Sequence, residues 1–472
     1  MGIGHYGFMS LNAPRITSRC QHSRVDEAGR PELPSQVTGR PGLLSAIRLL
    51  AVTLSALMRG KVPGQLVVQL TERCNGHCPQ CGMRADARFS RATLSGDTVR
   101  EVIDAAARRG VMALSFTGGE PLLMVDELAD YLRHAGQAGI PYLRTGTNGF
   151  HFREPDEPGF TDRIKRLVDK LANTPLRNFW ISMDSAEPEW HEQMRGLPGV
   201  VKGIERALPV FHEAGLYPSI NLGLNRNIGG DTTSSLDEHL YSDSRAYAER
   251  FRLAFEEGLG RFFRLALELG FTTANICYPM SISESAEGSL SAAYAATSQE
   301  RVVRFSVMEK ASLFEAVLRT IPQYRHRLRI FTPLSSVRAL IRQYKENTRP
   351  VYPCRGGVDF FFVDARLGHV YPCGYRGSES YGRYERADWE RVDDTASCSR
   401  CDWECFRDPS ELAGPLLEGR SHPIELIKRL TDDPEQYKLW FNDLRYYRAC
   451  RWFDGRKPLE LVRLKPFAAA SI

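Results

Sequence analysis

From residue 65 onward the chain alternates short β-rich runs with longer helical patterns, and this alternation restricts the fold more than any other feature. QLVVQLT (65–71) reads as the first strand. VMALSFT (111–117), PYLRTGT (141–147) and RNFWISM (177–183) read as the next three, and PSINLGL (218–224) and TTANICY (272–278) as the fifth and sixth. Helical patterns such as TVREVIDAAARRG and VVKGIERALPVFHEAG fill the intervals, each ending at a glycine stop signal. Repeated βα units imply a parallel sheet with helices outside it. Six units are fewer than the eight of a closed barrel, but the rule that function gathers at the C-terminal ends of parallel strands still applies.

Polar motifs stand at five of those ends. CNGHCPQC (74–81) follows strand one, TGGEP (117–121) strand two and TNG (147–149) strand three. SMDS (182–185) ends strand four and GLNRN (223–227) follows strand five. The first is the sharpest: Cys74, Cys78 and Cys81 form a C-x3-C-x2-C array. Three thiols cannot all pair as disulfides, and a structural zinc site takes four ligands. A [4Fe–4S] cubane takes cysteine thiolates, and three of them leave one iron open for a small molecule. The competing reading is a zinc site completed by His77, which sits within the loop beside Cys78, poorly placed to close a tetrahedron.

Composition agrees with a reducing setting. A length of 472 residues suggests about three domains at roughly 150 residues each. With 42% hydrophobic and 25% charged residues, the chain reads as a globular protein. A net charge of +5 over this length, with no basic run interleaved with aromatics, does not suggest a nucleic-acid binder. The 11 cysteines cluster in a chain too long for a secreted disulfide scaffold, so metal or iron–sulfur ligation in the cytoplasm is expected. Residues 1–41 are polar and rich in Gly, Pro and Arg, which predicts poor order. LLSAIRLLAVTLSALM (43–58) is apolar but shorter than the ~20 residues of a spanning helix, and starts late for a signal peptide. It reads as a helix packed on the body of the protein or, alternatively, as one lying on a membrane surface.

The C-x3-C-x2-C array after a first strand, with GGEP after the second, resembles the radical S-adenosylmethionine (SAM) enzymes over roughly residues 64–280. The resemblance implies a partial (β/α)6 TIM-like barrel whose cluster chelates SAM through its open iron. Reductive cleavage would then give a 5′-deoxyadenosyl radical that abstracts hydrogen from substrate, with an electron from a partner such as flavodoxin or ferredoxin. It implies that Gly118, Gly119, Glu120 and Pro121 bind the SAM amino group, and that Ser182 and Asp184 contact its ribose or carboxylate. HEQMRGLPG resembles the family's H-x3-RG-x2-G stretch, which makes Arg195 a partner for the SAM carboxylate or else a solvated surface arginine. Asn148 and Asn225 are candidates for nucleoside contact, with turn formation as the alternative. Gln80 departs from the aromatic residue that many members carry before the third cysteine.

A second cysteine group comprises Cys354, Cys373, Cys398, Cys401 and Cys405. It resembles the SPASM or shorter twitch extension that carries auxiliary [4Fe–4S] clusters, but lacks the middle spacing of a complete SPASM region. Five cysteines suffice for one four-cysteine cluster with one to spare, and Cys450 is a distant further ligand. A four-cysteine zinc site is the alternative. Cys277 and Cys20 read as ordinary cysteines, and Asp402, Glu404 and Asp408 as either surface charge or proton acceptors.

The expected organisation is a polar segment (1–41), an apolar helix (42–63), the partial barrel (64–283) and a linker with helical segment (284–349). A small cysteine-rich α+β auxiliary domain (350–410) and a helical tail (411–472) follow. A small-molecule biosynthetic substrate is expected. A ribosomally made peptide is the runner-up, although 1–63 does not read as a leader-binding winged helix, and a lipid-like substrate would go with a membrane-lying 43–58. A non-catalytic iron–sulfur or zinc protein is the alternative of a different class. No single residue is assigned as catalytic.

Overall fold

The computed structural model describes residues 56–76, 78–81, 90–279, 301–392, 395–399 and 401–468. His77, Cys20, most of 43–58 and the Ser/Ala/Glu-rich stretch after residue 284 lie outside the described residues.

The six expected strands are present and parallel. They are β1 (Gly64–Thr71), β2 (Val111–Gly118), β3 (Tyr142–Thr147), β4 (Leu176–Met183), β5 (Ser219–Gly223) and β6 (Thr273–Cys277). Between them run α1 (Gly96–Arg108), α2 (Val125–Gln137), α3 (Phe160–Ala172), α4 (Pro188–Arg195), α5 (Val200–Glu213) and α6 (Ser244–Glu268). Neighbouring strands pair in sequence order, as βα repeats require. The outward residues of β1, Leu66, Val68 and Leu70, pack with Val99, Val102 and Ile103 of α1 in the main core. Burying each such side chain stabilises by roughly 1.5–3 kcal/mol. Ser95 caps α1 by accepting a hydrogen bond from the Thr98 backbone N–H, which fixes where that helix starts.

The helical region 301–346 resolves into α7 (Val307–Tyr324), β7 (Arg329–Ile330) and α8 (Leu334–Glu346). A capping box of Ser306 and Glu309 starts α7. Beyond them come β8 (Phe360–Val363), β9 (Val370–Tyr371), α9 (Glu404–Ser421), α10 (Pro423–Asp432) and α11 (Pro434–Ala449). The sheet therefore has nine strands in the order β7-β6-β5-β4-β3-β2-β1-β8-β9. Six strands were expected in it. β7 extends one edge, and β8 pairs in parallel with β1 at the other, so the cysteine-rich region is joined to the barrel by backbone hydrogen bonds. The run of apolar residues FFFV leaves β8 buried on both faces, which suits a sheet interior.

The tail closes the N-terminal end of the strands. The Gly455 N–H donates to the Arg177 carbonyl, the Tyr217 N–H donates to the Gly455 carbonyl, and the Phe453 ring stacks on Phe331 at 3.9 Å. Asp443 of α11 is fully buried and accepts from Arg325 and from the backbone and hydroxyl of Ser335, which holds the tail to α8. Among the described residues no helix is long and apolar enough to cross a membrane.

Candidate active site

Cys74, Cys78 and Cys81 follow β1 at the C-terminal rim. The Gly76 N–H donates to Cys74 Sγ (3.3 Å), and the Cys81 N–H donates to the Cys78 carbonyl (3.2 Å). A Cβ on Gly76 would lie 3.5 and 3.6 Å from the Cys74 and Cys78 sulfurs, inside the cradle they form. Burial pushes the Cys74 thiol up and the Cys78 thiol to about 12, each further raised by its neighbours' charge, while Arg195 acts against both shifts. Bare thiolates are thus disfavoured here, and a bound cation would reverse that preference. Among the described residues no three ligand side chains converge at the spacing of one metal ion. A cubane puts each thiolate on its own iron, so this donor set fits a cluster without such convergence.

The GGEP segment runs against the start of that loop. The Gly119 and Glu120 N–H groups donate to the Thr71 and Arg73 carbonyls at 2.7 and 2.8 Å. A Cβ on Gly118 would meet the Thr71 carbonyl at 2.5 Å, and one on Gly119 the Arg73 carbonyl at 2.1 Å. The paired glycines let backbone approach backbone, where the sequence suggested close approach to a ligand. Glu120 is wholly buried and accepts from the Leu122 and Asn148 N–H groups, which ties the ends of β2 and β3. Burial raises its carboxyl to about 7 against those hydrogen bonds. Pro121 opens the short turn that follows. Asn148 reaches the thiol loop, donating to Asn75 Oδ1 (2.9 Å) with its amide 3.6 Å from Cys74 Sγ.

At the end of β4, Arg195 is buried and grips Asp184 with two hydrogen bonds of 2.7 and 3.0 Å, so it is not a solvated surface arginine. His191 Nδ1 accepts from the Asp184 N–H, and burial lowers its pKa to about 3, so the ring is neutral. Asn225 uses both amide hydrogens on the carbonyls of Asp184 and Gly223, and its oxygen on the Asn227 N–H. These bonds are those of a turn former. Ser182 is half-buried, and its hydroxyl makes no hydrogen bond among the described residues.

Four of the second-group cysteines come together. Cys354 and Cys398 are bridged through the backbone at 2.9 Å, and the thiols of Cys354, Cys373, Cys398 and Cys401 lie close enough to perturb one another electrostatically. Burial pushes Cys354 up to about 11 and Cys373 to about 12. Cys405, counted with them in the sequence, turns the other way and accepts from Gln65 Nε2 at 3.2 Å on the barrel side. It lies in the first turn of α9, next to Glu404. Cys450 sits in a separate apolar cluster with Tyr446 and Phe453. None of the described cysteines forms a disulfide.

The acids beside these cysteines are buried. Asp402 pairs with Lys310 and Tyr344, Asp408 accepts from Ser336 and Tyr278, and Glu404 accepts from the Tyr278 N–H. Glu404 also bonds the Cys277 side chain, and Cys277 interacts with Asn221 at 3.2 Å, so this cysteine belongs to the barrel lumen. The inner strand faces carry Arg144, Asn178, Trp180, Asn221 and Asn275, which sequence reasoning did not single out. The available signal was polar residues at alternate positions of strands that otherwise read as buried.

Residues 68–233, which run from the second half of β1 through β5 and include the first thiol set, match the model of the radical SAM superfamily. Over those residues the chain carries a radical SAM domain. It is accordingly an enzyme, and the family implies SAM and a [4Fe–4S] cluster as cofactors. This radical SAM chain is 24% identical to the AdoMet-dependent heme synthase of Methanosarcina barkeri over 75% of its own length and 87% of that protein. It is 32% identical to the GTP 3′,8-cyclase of Tolumonas auensis, over 30% of this chain and 40% of the cyclase. Among solved structures, SuiB of Streptococcus suis bound to precursor peptide SuiA aligns with a TM-score of 0.45 at 14% identity, covering 79% of this chain and 73% of SuiB.

Proposed function

We propose that Cys74, Cys78 and Cys81 hold a SAM-binding [4Fe–4S] cluster and that the enzyme abstracts hydrogen from a small-molecule biosynthetic substrate in the barrel lumen. The observation that carries this reading is the three-thiol cradle at the C-terminal rim, flanked by strand-end polar groups from β2, β3 and β4. The cluster would supply the electron that cleaves SAM to methionine and a 5′-deoxyadenosyl radical. Glu120, Asn148, Asp184 and Arg195 lie near the thiols and, with Ser182 at the end of β4, are the side chains that would hold SAM, with Gly118, Gly119 and Pro121 shaping the backbone beneath. Asn225 and His191 orient Asp184. Cys354, Cys373, Cys398 and Cys401 would hold one auxiliary cluster of the twitch type, with Cys405 left on the lumen side.

The small-molecule reading draws on the relatives that span most of this chain or match its barrel, a heme synthase and a GTP cyclase. A peptide substrate is the second reading, favoured by 29% identity over 164 residues to the PqqA peptide cyclase of Streptomyces rochei. A one-electron reductant of the flavodoxin or ferredoxin class and a cytoplasmic setting go with reduced cysteines, and membrane contact would involve 43–58. The test is anaerobic reconstitution with iron, sulfide, SAM and dithionite. 5′-Deoxyadenosine should form with the native chain and vanish in Cys78→Ala. A chain that binds zinc alone and makes no 5′-deoxyadenosine would overturn the proposal.

A further inference from the structure

Several buried arginines in this molecule pair with acids: Arg195 meets Asp184, Arg325 meets Asp443, and Arg355 meets Asp359. The half-buried Arg144 on β3 does not. Its register partner Asn178 accepts from Nε at 3.4 Å, and among the described residues no carboxylate pairs with it. Its guanidinium instead lies 5.6 Å from the Trp180 ring and 5.4 Å from the Phe331 ring. Contacts with aromatic faces leave the two terminal nitrogens of the guanidinium free to donate to a ligand.

The surroundings form a built site. Ser115 on β2 is in register with Arg144 and hence on the same sheet face. It is only 4% exposed, and its hydroxyl has no hydrogen-bond partner among the described residues. Leaving such a group unsatisfied is costly, so a ligand that reaches it is favoured. A Cβ on Gly146 would lie 2.2 Å from the Trp180 indole, so the glycine is what lets the ring lie across β3 above Arg144. Glu404 feels the Arg144 charge, but its carboxylate is turned to the Tyr278 N–H. The tail residue Phe453, stacked on Phe331, floors the lumen.

Resting on the proposed function, we infer that Arg144 and Ser115 bind a carboxylate of the substrate while Trp180 covers its apolar body. The guanidinium donates two parallel hydrogen bonds to a carboxylate, and Ser115 donates a third. Asn148, beside Cys74, lies four residues farther along the strand, about 13 Å at ~3.3 Å per residue. A substrate held at Arg144 therefore extends toward the rim thiols, where hydrogen abstraction would occur.

Benzoate and benzamide, equal in shape and unequal in charge, test this on the reconstituted full chain with SAM by ligand-observed NMR titration. Benzoate should bind at least ten-fold more tightly than benzamide. Arg144→Gln should erase the difference, Ser115→Ala should reduce it, and Arg144→Lys should keep part of it. Equal binding of the two probes by the native chain overturns the inference and needs no variant. So does benzoate binding that survives Arg144→Gln, or inorganic phosphate displacing benzoate at lower concentration than benzoate itself requires. A native chain that makes 5′-deoxyadenosine yet ignores benzoate sinks this inference alone, whereas one that makes none sinks the proposed function.

Discussion

Arg195 and Asp184 meet as a two-pronged buried ion pair at the end of β4, Nε to Oδ2 at 2.7 Å and Nη2 to Oδ1 at 3.0 Å. His191 and Asn225 bond the backbone of the same aspartate, so one residue is fixed from several sides. Replacing Asp184 by Asn leaves the guanidinium charge buried opposite a neutral group. That should destabilise the fold by roughly 3–5 kcal/mol. Urea unfolding measures it, and the Asp184→Leu/Arg195→Leu double variant should lose less than the sum of its single variants. An unchanged midpoint for Asp184→Asn would show that the pair does not hold the loop.

The direction of Cys405 gives a prediction about metal content. With Cys354, Cys373, Cys398 and Cys401 mutually close and Cys405 bonded to Gln65, Cys405→Ser should keep the auxiliary iron, while Cys373→Ser should lose about four irons per chain. Iron and acid-labile sulfide analysis after anaerobic reconstitution reads this directly. Equal losses in the two variants would place Cys405 among the ligands.

Much of the barrel was legible because each βα unit carries its own periodicity and stop signal. The strand from 111 and the strand ending at 183 can be found without knowing what packs on them. The rim motifs were legible for the same reason, since each follows its strand. What escaped depends on contacts far apart in sequence. β8 pairs with β1 across nearly 300 positions, and nothing in FFFV names that partner. Cys405 opens α9, and its hydrogen bond with Gln65, far away in sequence, could not be read from the cysteine spacing. The glycines of GGEP were recognised as positions of close approach, but the partner turned out to be the Arg73 backbone.

That close approach can be tested with one methyl group. A Cβ at Gly119 would sit 2.1 Å from the Arg73 carbonyl oxygen and 3.0 Å from Cys74 Cβ, so backbone must move. Gly119→Ala should cost about 1–3 kcal/mol or more and displace the thiol loop, lowering iron retention at the first site. Gly139→Ala is the control, with positive φ but nothing within 4 Å of its Cβ, and should cost only about 1–2 kcal/mol. Thermal midpoints and iron analysis of the two variants distinguish a steric collision from a general glycine effect, and equal behaviour would refute the collision.

Glu411 of α9 gives the stability a pH dependence that can be isolated away from both thiol sites. Burial raises its carboxyl to about 7, against the opposing charge of Arg407 and a hydrogen bond from Gln436. The folded chain therefore binds a proton that the unfolded chain releases near the ordinary value of 4.5. Stability from this group is present at low pH and falls as pH rises from about 4.5 to about 7. The buried His191 works in the opposite sense between about 3 and 6.5, because there the unfolded chain binds the extra proton. Glu411→Gln cannot ionise and leaves the His191 contribution in place. Between pH 5 and pH 7 the native chain should thus lose roughly 2–3 kcal/mol relative to Glu411→Gln in urea unfolding. Parallel pH profiles for the two proteins would mean that Glu411 is ionised throughout and that its burial is compensated by Arg407.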